Sequence, residues 1–281
     1  MSLTLDAITV GSELEKSSYV PSDYHELTPD ELTAQWHSLT SRETVFVSEV
    51  LSTFTKPLQG TKLRGALMVD LCEVLRETGM ACRQELNEQP TDVSTSNYWG
   101  VNRGIAVDKN DLDLVRSLMN KGSVRPIKDY GKIMRRLRSI HEMGVAIVSV
   151  TATLEGCEAA TIDDRFLGEA IRHGIFDGIM FARGHMGGRV PKAQALKFAM
   201  EQIFDMGADA VPVAAIDDST HHLDAFKDVF ANNPNLELRA PRHEGNAHLP
   251  ASQKYLVDSP LAAFDSVHTY FQAVLQRGEA A

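Results

Sequence analysis

The chain has 281 residues, and 28 Lys and Arg against 38 Asp and Glu give a formal charge of −10. Hydrophobic residues make up 43% and charged residues 23%, a globular balance that excludes disordered, collagenous and coiled-coil chains. The acidic balance and an aromatic share of only 7% argue against tracking or stacking on nucleic acid, so no nucleic-acid partner is expected.

Cys72, Cys82 and Cys157 are odd in number and lack metal-site spacing, so neither a disulfide framework nor a zinc site is predicted. The start of the chain has no basic segment followed by an apolar core, and no apolar run approaches the ~20 residues that span a bilayer. The expectation is a cytoplasmic protein with no membrane partner.

In chain order, residues 1–60 read as an N-terminal helical arm. Thr28, Pro29 and Glu31 supply an N-cap, a first-turn proline and a capping-box acid. Leu32, Trp36 and Leu39, then Val47, Val50, Leu51 and Phe54, continue an apolar face, which predicts helix over 29–54 with a break near Thr40 and Ser41. Such an arm suits packing on the main domain or on a second copy, which makes a homodimer through the arm an open expectation.

Residues 63–70 are a short apolar run ending in Asp70, the pattern of a buried parallel strand that delivers a polar group to its carboxyl end. A more polar stretch follows, with helix predicted over 110–121. Asp129 is placed to cap a helix over 130–143 that Gly144 closes. Strand is predicted over 145–150 with Thr151 next, helix over 158–172, and strand over 178–181. A glycine-rich loop, 183–189, leads to a helix over 191–206. Strand 211–216 ends in Asp217 and Asp218, and helix 221–231, strand 236–239 and helix 259–276 complete the chain. Alternating apolar strands and amphipathic helices predict an α/β fold with a Rossmann-like doubly wound parallel sheet.

In such a sheet the strand ends converge on one crevice, so Asp70, Thr151, Lys192, Asp217 and Asp218 are predicted to meet. One aspartate can attack phosphorus, an acidic pair can hold a divalent cation, and lysine and threonine can neutralise and position the transferring oxygens.

The order and spacing of these residues, with intervals of 81, 41 and 25, resemble the haloacid dehalogenase-like (HAD) superfamily over about 63–240. The resemblance makes Asp70 the nucleophile, Thr151 the hydroxyl of the second motif, Lys192 the third, and Asp217 with Asp218 the fourth. It implies Mg2+ held by Asp70, Asp217, Asp218 and the backbone carbonyl of Cys72, with substrate held by Thr151, Ala152 and Lys192. From the residues themselves, Arg183, His185 and Arg189 in the glycine-rich loop just before Lys192 are candidates to clamp an anionic substrate, with a flexible surface loop as the alternative. The resemblance also implies a core over 61–75 and 126–281 and a small helical C1-type cap inserted at 76–125. Within that cap, Asn97, Tyr98, Trp99, Asn102 and Arg103 are candidate selectivity residues, with ordinary cap core as the alternative for Tyr98 and Trp99.

The first motif departs from the family pattern. Asp70-Leu71-Cys72-Glu73-Val74 has Cys72 where family phosphatases carry a second aspartate that protonates the leaving oxygen and later activates water. A thiol with an unperturbed pKa near ~8.5 is a feeble substitute at neutral pH. Cys72 is therefore either a small residue filling the aspartate's place or a nucleophile itself, and Glu73 is a candidate acid.

His221 and His222 are expected on an exposed helical turn, with the crevice as the alternative. Residues 239–246 have a lesser claim on the substrate, and Asp163 and Asp164 are expected on a solvated helix face. Three functions stay open. The first is Mg2+-dependent hydrolysis of a small phosphorylated metabolite or nucleotide through an aspartyl-phosphate at Asp70. The second is a catalytically weakened binding or regulatory protein. The third is a related enzyme of other chemistry, such as a dehalogenase.

Overall fold

The computed structural model describes residues 34, 44–47, 52–56, 60, 62–77, 125–151, 170–171, 173–181, 192–243, 246, 249–250 and 252–279. Its strands are β1 (Thr44–Val47), β2 (Ser52–Thr55), β3 (Gly65–Val69), the short β4 (Arg76–Glu77) and β5 (Arg125–Pro126), β6 (Val145–Thr151), β7 (Gly178–Phe181), β8 (Val213–Ile216), β9 (Leu236–Pro241) and β10 (Leu256–Val257). The helices are α1 (Tyr130–Glu142), α2 (Lys192–Phe198) with a π-helical turn at Ala199–Ile203, α3 (Thr220–Val229) and α4 (Pro260–Glu279).

Eight strands form one sheet in the order β1-β2-β7-β6-β3-β8-β9-β10. Every neighbouring pair from β7 across to β10 is parallel. The central strands are buried along their whole length because helices cover both faces, so they read as continuous apolar runs. Alternation then sorts their side chains. Leu67, Val69, Val145, Ile147, Ala214 and Ile216 face a core completed by α1 and α4. Ala66, Met68, Ala146, Val148, Val213 and Ala215 face a second core completed by α2 and α3.

The helices supply matching stripes. α1 buries Ile133, Leu137 and Ile140, spaced four and three apart, and α4 buries Phe264, Val267 and Phe271. Full burial of one such ring is worth about 1.5–3 kcal/mol over leaving it exposed. On the other face α3 contributes Leu223 and Phe226, and Phe226 stacks on Phe230 at 5.8 Å between ring centroids. The α/β class with a doubly wound parallel centre is what the described residues form.

Three expectations change. First, the helix predicted over 29–54 does not extend through that range. Ala34 is helical, but 44–47 and 52–55 are antiparallel strands that extend the sheet beyond β7. The sheet is therefore mixed at this edge. Thr44, Val45, Val47, Thr53 and Thr55 are β-branched, and a pleated edge suits them better than a helix does. The apolar spacing at 47, 50, 51 and 54 fits a helix equally well on period alone, and that ambiguity is intrinsic to short apolar runs.

The docking of β2 needs Gly178 in β7. A Cβ there would sit 2.2 Å from the Phe54 ring, which is fully buried and packs edge-on to Phe204 at 6.0 Å.

Second, Asp129 precedes α1 as expected, but its side chain does not cap the helix. Its backbone is left-handed at φ 63°, and its carboxylate instead accepts a hydrogen bond from Lys132 Nζ at 2.7 Å. Gly144 closes the helix at φ 82°, as its freedom from a Cβ allows.

Third, β10 is a short parallel strand at the far edge that periodicity did not reveal. β4 and β5 pair as a short antiparallel ribbon, with Arg76 opposite Pro126 and Glu77 opposite Arg125. Residues 78–124, with the helix predicted over 110–121 and the candidate selectivity residues, lie outside the described residues, as do Asp163 and Asp164.

Candidate active site

Winding direction places the crevice. From β3 the chain steps to β6 and then β7 on one side, whereas from β8 it steps to β9 and β10 on the other. The switch falls between β3 and β8, where the two connections diverge and open a cleft at the strands' carboxyl ends. Asp70 follows β3, and Asp217 and Asp218 follow β8. Val69 and Ile216 are register partners, and the Asp70 N–H donates to the Ile216 carbonyl at 3.0 Å. Strand pairing alone thus sets these acids side by side.

Lys192, the first residue of α2, crosses into the same place. Its Nζ lies 2.8 Å from Asp70 Oδ2 and 2.8 Å from Asp217 Oδ2, and all three residues are buried. The other oxygens are also held. Asp70 Oδ1 accepts from the Leu71 N–H at 2.8 Å. Asp217 Oδ1 accepts from the Ser219 N–H at 2.9 Å and lies 3.0 Å from His222 Nδ1.

Burial acts to lower the Lys192 ammonium, but Asp217, then Asp70 and Asp218, outweigh it and hold it far above the ordinary lysine range. Lys192 is therefore a fixed positive charge.

The carboxylates separate. Burial would raise Asp217, yet Lys192 and His222 outweigh it and keep Asp217 well below the usual carboxylate range. Asp70 is raised, first by burial and then by Asp217, with Lys192 opposing. Asp218 is raised well above its ordinary value by burial, then by Asp217 and Asp70, with Glu73 adding to the effect. Among the described residues three carboxylates share one ammonium, so that cluster is short of positive charge.

Asp70, Asp217 and Asp218 each offer an oxygen, all within 4.8 Å of one another. Hard oxygen donors crowded together in burial fit a hard divalent cation, which would offset both the burial and the mutual repulsion that raise Asp70 and Asp218.

Thr151 ends β6 and is buried. Cys72 is half-buried, and its Sγ is 3.7 Å from Arg76 Nη2, so a cation is beside the thiol. Glu73 is buried in the same turn with φ 58°, a left-handed conformation that costs a non-glycine residue about 1–3 kcal/mol. Ala152, Arg189 and the rest of the 183–189 loop lie outside the described residues.

Two contributions were undervalued at the level of sequence. His221 is exposed as expected, but His222, one residue on along α3, turns to Asp217. In the 239–246 segment Arg239 points elsewhere, to Glu237 and to Ser266 Oγ at 2.8 Å, whereas His243 and Asn246 reach Asp218. The signal for His222 was its distance of five residues from Asp217, across a strand-to-helix turn.

No family model and no curated protein matches the chain. Solved structures similar to it include CbbY from Rhodobacter sphaeroides, at 18% identity and a TM-score of 0.46 over 72% of this chain and 100% of that one. The HAD-hydrolase YfnB from Bacillus subtilis gives 13% identity and 0.47 over 75% and 100%. A haloacid dehalogenase-like family hydrolase from Xanthomonas campestris gives 12% and 0.47 over 80% and 98%. Two of these three structures carry the haloacid dehalogenase-like name. No helix among the described residues is long and apolar enough to cross a membrane.

Proposed function

We propose that this chain is a haloacid dehalogenase-like hydrolase that uses Mg2+ and an aspartyl-phosphate at Asp70 to hydrolyse a small phosphorylated metabolite or nucleotide in the cytoplasm. The observation that carries this reading is the Lys192 ammonium, buried and 2.8 Å from both Asp70 and Asp217 at the switch point. A fixed cation touching a candidate nucleophile is what an incoming phosphoryl group requires. A dehalogenation substrate has no phosphoryl oxygens to neutralise, which makes a three-carboxylate cluster the harder site for it to use.

In the first step an Asp70 oxygen bonds to phosphorus while the bond from phosphorus to the leaving oxygen breaks, and that oxygen takes up a proton. In the second, water attacks phosphorus, loses a proton, and releases inorganic phosphate and free Asp70. Lys192 balances charge on the phosphoryl oxygens and on Asp70. Thr151, at the end of the neighbouring strand, supplies a hydroxyl to orient those oxygens, and Asp217 fixes the Lys192 ammonium in place. Mg2+ held by Asp70, Asp217 and Asp218 would supply further positive charge against the phosphoryl group.

The proton donor separates this chain from the usual phosphatase pattern. Cys72 lies beside Arg76, and the carboxyl available in that turn is Glu73. Substrates with good leaving groups, such as acyl phosphates, need little protonation and suit the site best. A missing general acid typically costs about 10²–10⁴ in rate, so the expectation is a slow enzyme.

The thiol at residue 72 also favours a second reading, a catalytically weakened module that binds phosphate and metal. Phosphate release from a broad substrate panel with Mg2+, compared between the native chain and Asp70→Asn, tests the two. Release that Asp70→Asn abolishes supports hydrolysis, and equal background in both leaves only the binding module.

A further inference from the structure

Asp217 and Asp218 are adjacent in sequence but are held very differently. Both oxygens of Asp217 are fixed, by Lys192 on one side and by Ser219 and His222 on the other. Among the described residues, the one side chain within ion-pair distance of the Asp218 carboxylate is His243, whose Nε2 lies 3.4 Å from Oδ2. His243 belongs to a different part of the chain, the turn that follows β9.

That turn is built to keep its place. Asn246 is buried, and its side-chain amide donates to the Pro241 carbonyl at 2.9 Å and to the Asp218 carbonyl at 3.3 Å. The side-chain oxygen accepts from the His243 N–H at 3.0 Å. The backbone closes the same turn, with the Asn246 N–H donating to the His243 carbonyl at 3.2 Å and the Leu249 N–H to the Asn246 carbonyl at 3.0 Å. One asparagine thus ties the main chain of Asp218 to the turn, and the same turn presents the His243 ring, itself largely buried, to the Asp218 carboxylate.

We infer that the turn from His243 to Asn246 is a positioning device for Asp218, setting the orientation of that carboxylate and with it the affinity of the acidic cluster for a divalent cation. The inference rests on reading the Asp70, Asp217 and Asp218 cluster as a cation site. Asp217 needs no such device, because its own helix and Lys192 already fix it. Among the described residues, Asp218 has only this turn to hold its side chain against the two neighbouring carboxylates, which push it away. A group that orients a ligating carboxylate typically contributes about 10–100-fold to metal affinity. His243 and Asn246 are positioning residues, and neither is required to touch the substrate.

Isothermal titration of the full chain with MgCl2, and separately with MnCl2, tests this directly. His243→Leu keeps bulk and removes the ring nitrogens, and it should weaken binding about 10–100-fold. His243→Gln restores a donor and should bind within about threefold of the native chain, which loss of packing alone does not explain. In phosphate release, H243L should raise the Mg2+ concentration needed for half-maximal rate while the rate at saturating Mg2+ stays within about threefold. Should H243L fail to fold, Asn246→Ser carries the same expectation of weakened binding. Unchanged affinity in H243L, or H243Q as weak as H243L, overturns this inference and leaves the cation site standing. A native chain that binds neither cation overturns the cation reading and this inference together.

Discussion

Asp177 and Asp217 are both almost completely buried aspartates at opposite ends of the same sheet. Asp177 immediately precedes β7. It accepts from the Ile147 N–H at 2.9 Å, and its two oxygens lie 3.1–3.2 Å from His141 Nε2. Its backbone carbonyl accepts from the Thr55 N–H at 2.7 Å, tying the β1–β2 hairpin to the sheet. Asp217 also has its oxygens filled, yet it shares one ammonium with two further carboxylates within 4.8 Å. Burial of an acid therefore does not distinguish a site from a staple. The distinction, among the described residues, is the crowd of carboxylates around Asp217, where Asp70 and Asp218 are raised first by burial and then by their acidic neighbours.

The largest effect separating the two ends is on chemistry. Asp70→Asn removes the nucleophile and should lower phosphate release by at least about 10³-fold, whereas Asp177→Asn should leave the rate of correctly folded protein nearly unchanged. Comparable losses in both would erase the distinction.

Stability comes next. Lys192→Met strips from the buried carboxylates the ammonium that pairs with Asp70 and Asp217, and should destabilise the chain by about 3–5 kcal/mol at pH 7, read by urea unfolding. Asp177→Asn keeps the shape and one acceptor and should cost about 1–3 kcal/mol.

The pH dependence follows from the shifts. Asp217 is depressed in the folded state, so its contribution is present above the unfolded carboxylate range and is lost as pH falls through its lowered folded value. Asp70 and Asp218 are raised, so their ionised forms oppose folding at neutral pH, and this opposition is relieved as pH falls through their raised values. The metal-free chain should thus gain less stability between pH 7 and pH 5 than Lys192→Met, whose unpaired acids are relieved as they take up protons. Added Mg2+ should stabilise the chain most near neutral pH, by about 2.7 kcal/mol when the ion is at 100 times its Kd, and progressively less toward pH 4. A Mg2+ effect independent of pH would contradict the raised carboxyls.

At the structural end, Gly178→Ala would drive a Cβ to 2.2 Å from the Phe54 ring and should destabilise by about 1–3 kcal/mol with the rate per folded molecule intact. The smallest change is expected from Cys72→Asp. The Arg76 guanidinium, 3.7 Å from the sulfur it replaces, would hold the new carboxylate ionised and so deny it the role of proton donor. A gain of 100-fold on poor leaving groups would show that Arg76 does not control that position.

How much of this the sequence carried depends on distance along the chain. The order Asp70, Thr151, Lys192, Asp217 and Asp218 was legible because each ends or begins an element whose apolar pattern is strong, and parallel pairing then gathers strand ends mechanically. The hairpin at 44–55 was not, since its apolar spacing serves helix and strand alike and only Gly178, more than a hundred residues away, makes room for Phe54. His243 was hidden for a similar reason. Nothing near it in sequence is acidic except Glu244, and its partner Asp218 is reached through a turn that Asn246 builds. Asp129 misled because a left-handed backbone turned its side chain away from the cap it precedes in sequence.

The central claim is that Asp70 receives a phosphoryl group beside a cation and Lys192. A crystal structure of the full chain soaked with Mg2+ and fluoroberyllate measures it most directly. The expected result is beryllium bonded to an Asp70 oxygen, with Lys192 and Thr151 on the fluorides and Mg2+ among Asp70, Asp217 and Asp218. Fluoroberyllate bound away from Asp70, or an empty Asp70 at saturating reagent with Mg2+ in place, would contradict it.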